Sequence, residues 1–300
     1  MRQIVAEART LKMRRWALVL SACFVGIFGT PAAADDAAEC NLTTRNQPWG
    51  SASAIAACTR LVQSSAKEPR SLAKAFVNRC VHYRFAGKAE LAIEDCTRSL
   101  ALEASAEGYS GRGLAYAIQG NYERAVSDLT AAIKSAPGSY IYYLTRANIY
   151  LAAERYDEAV QDYTKSMALN AADAPTLVVS RAAAYTAMGK HDLAMKDYNV
   201  FLDYLIALES RVNGSSVASS GYRARAFGYL RAGKPNEALI DINQALARDK
   251  DEALNWQLRA MVYEALGRKG DAIADYRRAL GRNTKDTESR DAIARLGGTP

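Results

Sequence analysis

Few side chains in this 300-residue sequence are of types and spacings that do chemistry. The two histidines, His82 and His191, share no cluster with cysteines at metal-ligand spacing, and no C-x-x-C pair occurs. Zinc and thiol redox catalysis therefore lack their residues. A G-x-S-x-G elbow, an H-E-x-x-H pair and a glycine-rich phosphate loop are all missing. Adjacent carboxylates such as Glu94-Asp95 have nothing that sets them apart as acid and base. No metal, no cofactor and no small-molecule substrate is expected. Two reactive sets remain. One is a series of arginines, each followed sixteen residues later by an aspartate. The other is a group of four cysteines, Cys40, Cys58, Cys80 and Cys96. A guanidinium beside a carboxylate forms a forked ion pair, and one without a carboxylate binds an anion. Which applies depends on the elements that position them.

Those elements repeat. Six segments align on a period of about 34 residues, beginning near Ala73, Ala106, Tyr140, Pro175, Ser219 and Ala253. One column is Arg79, Arg112, Arg146, Arg181, Arg225 and Arg259. Four residues on stands Tyr83, Tyr116, Tyr150, Tyr185, Tyr229 and Tyr263. Nine further stands Ala92, Ala125, Ala159, Ala194, Ala238 and Ala272. Three beyond that comes Asp95, Asp128, Asp162, Asp197, Asp241 and Asp275. Four invariant columns in six copies are internal repetition.

The pattern resembles the tetratricopeptide repeat, a helix–turn–helix unit of about 34 residues. The small residue after each Arg (Cys80, Gly113, Ala147, Ala182, Ala226, Ala260) matches the family's small position in the first helix. Gly87, Gly120, Gly189, Gly233 and Gly267 match its turn, with Glu154 the exception. The resemblance covers residues 73–286 and implies an all-α, right-handed superhelical solenoid with a concave binding face. Each unit buries too little alone, so stacking supplies the core. Outside the array, residues 35–72 hold a tail and a half repeat, with a capping helix expected over 51–64. The spacing between the fourth and fifth units is 44, which predicts a long second helix in the fourth unit, an insertion at about 202–218 and a loop at Asn213-Gly-Ser-Ser. Residues 287–300 read as a C-terminal capping helix and tail.

Within such a unit the Arg–Asp offset equals that of the small–large packing pair beside it (Gly113–Leu129, Ala147–Tyr163). Arg and Asp should therefore meet across the helix pair as a ladder, each Arg stem lying on its i+4 Tyr. Cys80 and Cys96 occupy the small and large columns of one unit. Of three possible connectivities this favours Cys80–Cys96, leaving Cys40–Cys58 to tie the tail to the cap.

Residues 1–34 read as a cleaved secretion signal: a basic Arg9–Arg15 region, an apolar run over 16–30, and a small-residue cut after Ala34. An uncleaved anchor and a lipoprotein joined through Cys23 are the alternatives. An even number of remaining cysteines agrees with an oxidising periplasmic or secreted setting. The net charge of +7 is concentrated there. Residues 1–34 carry five of the 39 basic and one of the 32 acidic side chains, leaving 34 basic against 31 acidic elsewhere. A balance of +3 over the array argues against nucleic acid as partner.

The resemblance carries a concave wall onto Val77, Val81, Leu114, Ile118, Ile141, Leu144, Asn148, Leu151, Val179, Arg223 and Phe227, with Lys74, Arg84 and Phe85 also on the first unit's face. The wall is mostly apolar and lacks the Lys/Asn/Arg set with which some relatives clamp a peptide's C-terminal carboxylate. Packing between repeats is the competing role for its Leu and Ile members. The implied function is a non-catalytic scaffold or adaptor of the bacterial cell envelope that binds a protein or peptide through an apolar segment. A self-associating envelope subunit is the second reading, and an enzyme built on the repeat scaffold the third.

Overall fold

The computed structural model describes residues 31–41, 49–64, 68–212 and 216–300, without the side chains of 31–35. The signal segment up to residue 30, Cys23 included, and the loop at 213–215 lie outside the described residues. Fifteen helices and no strand occur among them, none long and apolar enough to cross a membrane.

The helices fall into two compact bodies that divide after Leu169. In the first, α1 (Pro31–Cys40) and α2 (Ala52–Ser64) precede three helix pairs: α3 (Pro69–Phe85) with α4 (Ala89–Leu102), α5 (Ala106–Ile118) with α6 (Tyr122–Ser135), and α7 (Tyr140–Ala152) with α8 (Tyr156–Leu169). In the second, α9 (Ala174–Ala187) pairs with α10 (His191–Glu209), α11 (Ala218–Arg231) with α12 (Pro235–Arg248), and α13 (Ala253–Ala265) with α14 (Lys269–Arg282); α15 (Thr287–Arg295) closes the stack. The second helix of five pairs has 14 residues, whereas α10 has 19. Helix α1 runs through the expected cut between Ala34 and Asp35, and His191 is the first residue of α10.

The pairs share one turn. The residue after Ala or its equivalent takes a left-handed backbone, with φ between +71° and +77° at Gly87, Gly120, Gly189, Gly233 and Gly267. The next N–H reaches back to the Tyr-column carbonyl, as in Lys88 to Tyr83 at 2.9 Å and Arg155 to Tyr150 at 2.8 Å. This closes the first helix in a Schellman motif. Glu154 occupies that position in the third unit with φ +60°. A side chain there carries a steric cost of about 1–2 kcal/mol, offset in part by its lower unfolded-chain entropy. Glu154→Gly is therefore expected to stabilise the first body by about 1 kcal/mol, read as a rise in urea midpoint. An unchanged or lower midpoint would mean that the turn is not strained.

Small residues on the first helices let the second helices approach. Ala147 and Tyr163 are fully buried against each other's helix, as are Ala226 and Ile242. The first body ends in a small core of Cys40, Ala57 and Cys58 with Leu61 against it. The second ends on Ile293, buried with Ala260, Ala272 and Tyr276. There Glu264 takes a forked bond from Arg295 (2.8 and 3.1 Å) and the Tyr276 hydroxyl at 2.6 Å. Burial and that neighbouring carboxylate push the Tyr276 hydroxyl above its ordinary range.

Candidate functional site

Six Arg–Asp pairs form the polar spine of the helix pairs. In each, Nε donates to Asp Oδ2 and Nη2 to Oδ1: 2.6 and 2.9 Å for Arg79–Asp95, 2.8 and 2.8 Å for Arg112–Asp128, 2.7 and 2.9 Å for Arg146–Asp162. The second body has 2.8 and 2.8 Å for Arg181–Asp197, 2.7 and 2.9 Å for Arg225–Asp241, and 2.6 and 3.2 Å for Arg259–Asp275. The bond to Asp95 holds the Arg79 guanidinium above its ordinary range, as the matching bonds do for Arg112, Arg146, Arg181 and Arg225. The guanidinium lies over its i+4 Tyr ring at 5.6–6.0 Å for Arg79, Arg146, Arg181, Arg225 and Arg259. The Tyr116 ring carries Arg124, at 5.5 Å.

The free edge of these guanidinia has a use that the four sequence columns do not reveal. Nη1 donates to the second helix of the preceding unit: Arg79 to Thr59 at 3.1 Å, Arg112 to Thr97 at 3.3 Å, Arg146 to Thr130 at 2.8 Å. In the second body Arg225 reaches Asn199 at 3.0 Å and Arg259 reaches Asn243 at 2.8 Å. Apart from Thr59, which follows Ala57 at the same spacing, the acceptors stand two residues after the Asp column, so an Asp-x-Thr/Asn pattern was the available signal. Each of these arginines joins its own unit and welds it to the one before. With Nε, Nη1 and Nη2 each bonded within the fold, these arginines serve the helix pairs rather than an anion-binding row.

The four cysteines come together as two pairs, with sulfur separations of 2.12 Å for Cys40–Cys58 and 2.09 Å for Cys80–Cys96. All four are fully buried. A Cβ on Gly111 of α5 would sit 2.7 Å from the Cys96 sulfur, so only glycine fits beside that bridge. His82 is a buried tie for the N-terminal cap. Its Nδ1 accepts from the Gly50 N–H at 3.2 Å, which leaves Nε2–H to donate to the Cys40 carbonyl at 3.3 Å. Burial lowers its pKa, and the Cys40 bond opposes that shift.

The concave-wall residues divide by burial. On α3, α5 and α7, Val77, Val81, Leu114, Ile141, Asn148 and Leu151 are half-buried, and Ile118 is 50% exposed. Leu144 is a correction: at 6% exposure it is packed in the core rather than open on a wall, because the neighbouring helices close over it. Asn148 already uses Oδ1 to accept from the Tyr163 hydroxyl at 2.7 Å, which leaves only its amide donors for a ligand. In the second body, Val179 packs against the Ala182, Ala194 and Tyr198 core and Phe227 against that of Ala226 and Ile242. Arg223 donates to Asn255 Oδ1 at 3.1 Å and lies 3.9 Å from Glu252. Burial lowers its pKa, against the pull of the Glu252 and Asp249 carboxylates. Among the described residues no group of three or more His, Cys, Asp or Glu is placed to hold a metal.

Comparison with known proteins agrees with this geometry. The tetratricopeptide repeat family profile matches residues 82–140, 110–175 and 223–287, more than half of the chain. The mouse protein called tetratricopeptide repeat protein 16 is 24% identical over 218 residues, which is 67% of this chain and 28% of that one. The chain spans about a quarter of the length of the curated relatives it matches. Among solved structures, a tetratricopeptide repeat protein from Parabacteroides merdae superposes with a TM-score of 0.64 at 19% identity, covering 82% of this chain and 92% of that one. PilW, described as a type IV pilus biogenesis factor, gives 0.60 at 14% identity, covering 74% and 98%. With its repeated columns, its shared turn and its paired helices, the chain belongs to the tetratricopeptide repeat family.

Proposed function

We propose that the chain is an exported scaffold of the bacterial cell envelope that holds a protein or peptide by an apolar segment. The repeat fold is a platform for protein–protein contact. The observation that carries the finer reading is the face of α3 and α5. Val77 and Val81 lie four residues apart on one helix and Leu114 and Ile118 four apart on the next, so each pair shares a helix face. All four keep solvent exposure, and α3 and α5 touch one another. Apolar side chains at such spacing suit a helix or extended segment laid across them. The signal pattern of residues 1–34 and the two buried cystine bridges support export to an oxidising compartment.

The test is crosslinking and recovery of partners from the native envelope fraction, with the mature N-terminus read by mass spectrometry. Leu114→Asp with Ile118→Asp, both outside the tight core, should cut recovery at least ten-fold with helicity unchanged. Undiminished capture would remove the groove, and a purely cytosolic chain would remove the export reading. A second reading, self-association, is favoured by the long α10. Val200, Tyr204, Ile206 and Val212 are 36–49% exposed on or just beyond it, and Ile240 on α12 is 66% exposed. Analytical ultracentrifugation of the mature chain separates the two: a concentration-dependent dimer lost on Ile240→Asp favours self-association.

A further inference from the structure

We propose that the outward face of α10 pairs with itself: a second copy of this chain docks its own α10 antiparallel, about a two-fold axis at Val200. The inference rests on the self-association reading and names the surface and its register.

The side of α10 turned into the second body carries Ala194, Asp197, Tyr198, Leu202 and Leu205, all buried. The opposite side repeats every seven residues, which is about two helical turns. Leu193, Val200 and Ala207 form one row, and Lys196 and Asp203 form a second row beside it. Tyr204, four residues after Val200, flanks the first row on its other side. Leu193 is 40% exposed, Val200 49% and Tyr204 36%. Lys196, Asp203 and Ala207 are exposed as well.

Two features set α10 apart from the second helices of the other units. At the position of Val200, three residues after the spine aspartate, those helices hold Arg98, Ala131, Lys165, Gln244 and Arg278. Only α10 places a branched apolar side chain there. The others also stop at 14 residues, and Ala207 lies on the extra length that gives α10 its 19. Val200 is thereby centred in its row, which runs about 21 Å along the helix.

The pattern is its own complement. A two-fold axis that sets one helix against its copy brings each residue before Val200 opposite the one equally far after it. Val200 meets Val200 of the second copy, and Leu193 fits over the small Ala207. Tyr204 and Leu193 share a flank of this seam and come within one turn of each other across the axis. On the opposite flank, Lys196 of each copy meets Asp203 of the other, making two ion pairs. A parallel alignment would set Lys196 against Lys196 and Asp203 against Asp203, and like charges so placed are costly. A single helix pair of this length falls below the roughly 1,200 Å² of a standard interface. The dimer is therefore weak and forms as concentration rises.

Sedimentation equilibrium of the mature chain tests this with charge reversals at the two exposed positions. The unaltered chain should dimerise with concentration. Lys196→Asp and Asp203→Lys should each weaken the dimer at least ten-fold with helicity unchanged, since each sets two like-charged pairs across the axis. An equimolar mixture of the two variants should recover the dimer as a heterodimer, because opposite charges then face each other at both ends. The double variant should also recover it. Val200→Cys should give a disulfide-linked dimer with diamide as oxidant. Ile206→Cys, about a third of the way round the same helix, should not. The four cysteines at 40, 58, 80 and 96 are buried in their bridges and do not compete. A dimer indifferent to both reversals would overturn this contact and leave self-association standing through another surface. Weakening without recovery in the mixture would overturn the antiparallel register. A chain monomeric at every concentration would overturn both readings and give the stripe to a different protein.

Discussion

Asp95→Ala should destabilise the first body by about 3–5 kcal/mol, the cost of stranding a buried partner charge. The residue is 3% exposed and accepts both arms of Arg79, which is itself 9% exposed. Truncation leaves that guanidinium buried with Thr59 as its remaining polar contact. Arg79 cannot escape by losing its proton, because arginine stays charged in proteins. The loss measures the stranded cation more than the worth of the pair. Arg79→Met combined with Asp95→Leu should therefore recover most of it, since apolar replacement of a buried ion pair is often neutral or stabilising. Glu94→Ala is the control. Its bond to Arg98 is 2.6 Å, yet both side chains are 54% exposed, so the change should stay within about 0.5 kcal/mol. Urea unfolding followed by hydrogen exchange over residues 68–102 gives the numbers. A cost below about 1 kcal/mol for Asp95→Ala would show that water reaches the fork. The role left to the spine is specification: a guanidinium that must meet its own Asp and the preceding Thr or Asn fixes how adjacent units seat.

How legible this was depended on whether a contact stays inside one repeat. Arg79 meets Asp95 at the same offset as Arg259 meets Asp275, so six copies expose the pairing. The offset to the preceding unit varies, from 15 for Arg112–Thr97 to 26 for Arg225–Asn199, and the acceptor alternates between Thr and Asn. That contact escapes a search for invariant columns. Burial on the wall was illegible for a different reason. Val77 and Leu144 hold equivalent positions, each two residues before its column arginine, yet one is half-open and the other 6% exposed. What covers each is set by its neighbours, which position in the repeat does not encode. Helix α1 was hidden because its Ala-rich start reads as a cleavage region.

Loss of the cystine bridges should have the second large effect, confined to the first body. Each closes a segment of 16 or 18 residues. In the chain-entropy account such a loop contributes about 3 kcal/mol, by restricting the unfolded chain. The four sulfurs are fully buried, so paired substitution is cleaner than a reductant. Cys40→Ala with Cys58→Ala releases α1 from α2, and hydrogen exchange should rise there first. The Cys40 carbonyl is also the partner of His82, so the cap loses a hydrogen bond along with its covalent tie. Cys80→Ala with Cys96→Ala acts one unit further in and adds a packing defect beside Gly111, where the bridge now fills the space. That pair should cost at least as much as the first. Residues 170–300 should keep their protection in both variants, because a repeat array is stabilised by neighbours rather than as a whole. Unchanged exchange in 31–102 would mean that the sulfurs do not bridge in solution.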